Sequence, residues 1–142
     1  MSGTFGAKYY DVTLAALRVM AGFLFMTHGG QKLFAWFGAD ASFTAWWPVG
    51  VAGMLEFFGG TAIALGLFTR YVAFVVAGEM AVVYFWRHVA SRDAFWPWEN
   101  RGELPVLYCF VWLFMWAAGG GRWQLEHWLR QWLGAGPVRG AT

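Results

Sequence analysis

The chain reads as long apolar runs separated by short polar or aromatic stretches, and only the last run alternates polar and apolar sides. The run at residues 51–70, VAGMLEFFGGTAIALGLFTR, is apolar except for a few small polar positions, Glu56 and a closing arginine. A helix that crosses a bilayer needs about 20 predominantly apolar residues at about 1.5 Å each, and this stretch meets that length. Ala52, Glu56, Gly60 and Ala64 recur at every fourth position, forming a stripe of small residues with a carboxylate in it. Small stripes let helices approach closely, because lipid offers no hydrophobic drive for packing larger groups. Glu56 must then face protein or trapped water, since contact with lipid is costly for a charge.

The other runs predict helices over 12–33, 71–88 and 103–118. In the first, Asp11 or Thr13 supplies a start signal, with Tyr9 and Tyr10 at headgroup level. Arg18, Gly22, Phe25, Gly29 and Lys32 share one face with His28 at its edge, and so polar a face predicts an inward orientation. The link between the second and third runs is short enough to make them antiparallel neighbours, and the third carries Glu79. Pro105 occupies the first turn of the fourth, where a missing N–H costs little, and Gly119, Gly120 and Gly121 end it. Residues 34–50 and 87–102 read as loops; in the former, Trp46 and Trp47 before Pro48 form an interfacial belt. Over 122–133, Leu125, Trp128, Leu129, Trp132 and Leu133 recur at helical spacing, with Arg122, Glu126, Arg130 and Gln131 on the other side. That helix is too short to span and is expected in the membrane interface, followed by a loose tail. The expected fold is an all-α membrane protein, a four-transmembrane-helix antiparallel bundle with a C-terminal interfacial amphipathic helix, in one domain over 1–142.

Composition points the same way: 13% of residues are charged, against about 25% in soluble domains. The formal charge of +2 is spread thinly with no basic run, so no nucleic-acid partner is expected. Cys109 is the single cysteine. It cannot form an internal disulfide or a Cys-x-x-Cys pair and reads as inert packing. The start, MSGTFGAKYYD, has no short apolar block with a cleavage site, so no removable signal peptide is expected. Four spans place both termini on one side, with Lys8, Arg70, Arg122, Arg130 and Arg139 there and Lys32, Arg87, Arg92 and Arg101 opposite. This slight bias predicts cytoplasmic termini.

Counting inward from the helix ends sets Arg18 about 10 Å and Glu79 about 12 Å from the same side. Buried charges are tolerated when paired, so an Arg18–Glu79 structural ion pair is expected. His28, Lys32, Glu56, His88 and Glu103 converge on the other end. Three readings fit these five. They form a charge-neutralising cluster, with Lys32 and the histidines reaching towards water. Alternatively, they line a pocket that binds a polar head such as a quinone and passes protons. The third is a two-His, two-carboxylate metal site, whose spacings match no standard motif, and no metal is assigned.

Several stretches together carry a resemblance. They are Leu17-Arg18 with Gly22, then His28-Gly29 followed by Gln31-Lys32-Leu33-Phe34 and Gly38. Next come Gly53-x-x-Glu56-x-x-Gly59-Gly60, Leu65-Gly66-Leu67-Phe68-Thr69-Arg70 and His88 with Phe95-Trp96. Gly102-Glu103 and Gly119 to Trp123 with Leu125-Glu126 complete the set. Spread over roughly residues 14–126, this combination resembles the DoxX family of small four-helix bacterial membrane proteins. The resemblance implies the bacterial plasma (inner) membrane and a redox setting. The family takes its name from archaeal thiosulfate:quinone oxidoreductase subunits, and a mycobacterial member is linked to a thiol-oxidation and superoxide-detoxification complex. The leading expectation is a subunit of a quinone-linked membrane redox system, with a quinone near His28, Lys32, Glu56, His88 and Glu103. Lys32 or His28 would donate to a carbonyl oxygen and Glu56 would exchange a proton. No independent catalytic motif stands out. The rivals are a non-catalytic accessory or assembly subunit of a larger complex, and a homo-oligomer that transports a small solute. Expected partners are the lipid bilayer and subunits of such a complex.

Overall fold

The apolar runs fold as helices, and among the described residues no strand forms. The computed structural model describes residues 5–39 and 46–134; residues 40–45 of the first expected loop, and the tail with Arg139, lie outside them. Helix α1 runs Phe5–Phe34, α2 Val51–Leu65, α3 Thr69–Val83, α4 Glu103–Ala118 and α5 Leu125–Trp132. Wider turns over Tyr84–Val89 and a last turn at Ala90–Arg92 prolong α3. Three helical stretches are long and apolar enough to cross a membrane: Tyr9–Phe34, Trp47–Leu65 and Thr69–Arg92. Helix α4 is apolar but shorter.

The first two helices meet backbone to backbone. A Cβ at Gly22 would lie 2.7 Å from the Gly60 carbonyl oxygen and from the Ala64 nitrogen, and one at Gly29 would lie 2.3 Å from the Phe57 nitrogen. Gly22 and Gly29, like Gly53 and Gly60, are two turns apart and so share a face. The order of the contacts makes α1 and α2 antiparallel. Gly66, at φ +74°, ends α2 in the left-handed conformation that glycine adopts without a Cβ penalty. The chain then turns directly into α3.

Helix α3 packs on α4 through side chains. Phe74 meets Trp116 at 5.8 Å between ring centroids, and the start of α3 bonds the end of α4 through Arg70 to the Trp116 carbonyl. At the other end Gly102 abuts the Tyr84 ring, so this pair is antiparallel too. Phe25 of α1 reaches across to α4, edge-on to Trp112 at 5.1 Å, while Tyr108 stacks on Trp112 at 5.6 Å. Ile63, Val76, Met80 and Met115 belong to the same core. The outer faces carry Met20, Phe23, Phe58, Phe74, Val82, Phe110 and Phe114, all exposed. An envelope this apolar suits lipid and not water.

Past α4, the segment from Gly119 folds back over the α2–α3 turn. Gln124 lies against Gly66, where a Cβ would meet it at 2.5 Å. Glu126 fixes α5 there: its N–H donates to the Gly66 carbonyl and its Oε2 accepts from the Phe68 N–H at 3.0 Å. Trp128 and Trp132 of α5 remain exposed.

Candidate functional site

The backbone contact between α1 and α2 sets one ion pair inside the bundle. Lys32 Nζ lies 2.5 Å from Glu56 Oε1, with the glutamate side chain 5% exposed and the lysine 30%. The other carboxylate oxygen, Glu56 Oε2, is buried without a hydrogen-bond partner. Lys32 is four residues on from His28, one turn along the same face of α1, and His28 is close enough to Glu56 to act on its charge.

Two more helices add to this level. Glu79 of α3 lies within electrostatic range of Glu56 and Lys32, and both of its carboxylate oxygens are buried with no partner. Tyr108 of α4 falls within range of Glu56 and meets the His28 ring edge-on at 6.2 Å. His28, Glu56, Glu79 and Tyr108 thus form a polar layer with one member from each of the four long helices, and Lys32 leads from it to the outside. Three carboxylate oxygens in it lack donors. Buried polar atoms are otherwise almost always satisfied. The layer can donate a hydrogen bond from Lys32 and offers vacant acceptors behind it.

The expected Arg18–Glu79 ion pair does not form. Arg18, 2% exposed, donates from Nη1 to the carbonyls of Ile63 at 2.9 Å and Ala64 at 2.8 Å, and from Nη2 to the Trp123 carbonyl at 2.6 Å. It caps the C-terminal end of α2, where open carbonyls and the helix dipole favour a cation. The depth count failed because the first turns of α1 project past the α2–α3 turn, which puts Arg18 level with the end of α2. Glu79 lies ten residues, about 15 Å, along α3 from that turn.

Of the five convergent residues, Lys32 bonds Glu56 and His28 acts on the same carboxylate, while His88 and Glu103 have other neighbours. His88 Nδ1 is 3.0 Å from the Asn100 carbonyl oxygen. Glu103 is exposed and lines a groove with Trp98, Arg101, Leu104 and Leu107. The two-His, two-carboxylate constellation is therefore not assembled, and among the described residues no three His, Cys, Asp or Glu side chains gather as metal ligands.

Two residues of consequence do not stand out in the sequence. Tyr108 is a hydroxyl in the middle of an apolar run, and a buried Tyr O–H usually seeks a partner; that signal was available. Asn100 is fully buried, donating to the Ala94 carbonyl at 2.9 Å and accepting from the Gly102 N–H at 2.8 Å. It organises the loop before α4, and only the Asn-Arg-Gly turn chemistry hinted at it.

Apolar helices of spanning length, an apolar envelope and an ionisable layer held between helices define a helical membrane protein. The DoxX family model matches residues 13–89, which include α2 with Glu56 and extend through Glu79 and His88. The chain belongs to the DoxX family. A Haemophilus influenzae relative, described as an uncharacterized protein, is 37% identical over 127 residues, covering 84% of this chain and 92% of its own length. No solved structure matches.

Proposed function

We propose that this protein is a four-span subunit of a quinone-linked redox system in the bacterial inner membrane, with α4 as the fourth span and both termini cytoplasmic. In this reading α5 lies in the interface, its Trp128 and Trp132 turned to the headgroups. The polar layer binds the head of a quinone or a similar small molecule arriving from lipid. Lys32, the partly exposed member, donates a hydrogen bond to a carbonyl oxygen of the ligand. Glu56 behind it exchanges a proton, and His28, Tyr108 and Glu79 set its surroundings. The observation that carries this reading is the Lys32–Glu56 pair, with Glu56 Oε2 and both Glu79 oxygens unpartnered in the same layer. A membrane protein keeps such groups at a cost, and a ligand or proton path accounts for keeping them.

The test is quinone content after mild detergent extraction, with titration of added quinone. The native chain should retain quinone. The variant Lys32→Met, which lacks the donor, should bind it at least about tenfold more weakly, the value of one charge-assisted hydrogen bond. Equal binding by both overturns the reading.

A non-catalytic reading, an accessory or assembly subunit of a larger complex, draws on a different observation. Trp123, Trp128, Trp132 and Leu133 present an uncovered apolar surface on and beside α5. A larger complex that survives extraction and is lost in Trp128→Ser, Trp132→Ser would favour it.

A further inference from the structure

A second feature lies at the head of α4, away from the polar layer. Trp98, Arg101, Glu103, Leu104 and Leu107 line an open groove of about 380 Å³. Arg101 and Glu103 are both exposed, and no hydrogen bond or ion pair occupies either side chain among the described residues. Two residues apart in sequence, they leave a positive and a negative charge unpaired on one groove. Arg101 turns the chain at φ +57° just before α4. Trp98 stacks on Trp96, centroids 5.1 Å apart and 12° from parallel, which gives the groove a firm aromatic wall. Leu104 and Leu107 continue into Phe110 and Phe114, all exposed. Spacings of three, three and four residues place these four on one stripe of α4, about 15 Å long.

We infer that this groove binds a zwitterionic phospholipid with a primary ammonium head. The Arg101 guanidinium matches a phosphate, which it can hold through two N–H donors. The ammonium then lies against the Glu103 carboxylate and the face of Trp98, where a cation is attracted by the ring. One acyl chain follows the stripe from Leu104 to Phe114. A phosphatidylglycerol head carries its charge on the same phosphate and brings no cation to Glu103, and a quaternary ammonium would have no N–H to give it. This placement rests on α4 lying in the membrane, as proposed above, and is independent of what the polar layer binds.

The full chain in nanodiscs of phosphatidylethanolamine, phosphatidylglycerol and phosphatidylcholine in equal parts supplies the test, read by mass spectrometry of the lipids that stay bound. The native chain should retain phosphatidylethanolamine over the other two by on the order of tenfold. Glu103→Gln should bring phosphatidylcholine close to parity, and Arg101→Ala should shed all three, both with unchanged melting temperature because the side chains are at the surface. Equal retention of the three lipids, preference for phosphatidylglycerol, or native-like retention by Arg101→Ala overturns the inference. Release of the chain by alkaline carbonate would instead remove the membrane placement itself, and with it the proposal of four spans.

Discussion

Arg18 and Glu79 are both ionisable residues in apolar helices, and the bundle treats them in opposite ways. At the α2 end, Arg18 spends its two terminal nitrogens on three carbonyls from two chain segments. In the polar layer, Glu79 has no partner for either oxygen, whereas Arg18 leaves only Nε unbonded. The first arrangement closes a helix end and holds the C-terminal segment over the α2–α3 turn, which is architecture. The second leaves bonding capacity unused where the surroundings cannot supply it, and stability gives no reason for that. The contrast teaches that burial alone does not set what an ionisable side chain does: the guanidinium of Arg18 is used by the architecture, whereas the carboxylate of Glu79 bonds to none of it.

Substitutions should separate the two most sharply at Arg18. Arg18→Ala leaves the Ala64 and Trp123 carbonyls without a donor at about 1–3 kcal/mol each, while Ile63 keeps the Gly66 N–H, so a loss of about 3 kcal/mol is expected in detergent unfolding, with Arg18→Lys only partly restoring it. Next comes the Lys32–Glu56 pair. Lys32→Met should cost about 2 kcal/mol, less than for a fully buried pair because the lysine keeps 30% of its exposure. Adding Glu56→Leu should recover part of that, giving a coupling of about 1–2 kcal/mol in the double-mutant cycle. Glu79→Leu should have the smallest effect and the opposite sign, unchanged stability or a gain of up to about 1 kcal/mol, since no bond is lost and a buried carboxylate goes. Melting curves check all three. A destabilisation by Glu79→Leu as large as that of Arg18→Ala would erase the contrast.

The helices were legible because long apolar runs and their glycine and proline punctuation are properties of the chain alone. Their ends were less so: α1 starts at Phe5 and not at residue 12, and the α3 helix runs on through wider turns to Arg92. The approach of Lys32 to Glu56 followed from inward faces rich in glycine on two helices. What sequence hid was azimuth and level. Arg18 and Glu79 were matched by counting from assumed ends, yet the count says nothing about which helix faces which, or about a tail that folds back to offer the Trp123 carbonyl. For the same lack of rotational information the sequence does not show that α4 turns Glu103 out to the groove.

The glycine contact between α1 and α2 has a mechanical meaning. Interleaved side chains, as between α3 and α4, can slip by changing rotamers; two backbones pressed together at Gly22, Gly29 and Gly60 have nothing between them to rearrange. Lys32 and Glu56 are therefore mounted on a stiff frame. A change in the charge of the layer should therefore leave the spacing of Lys32 and Glu56 as it is.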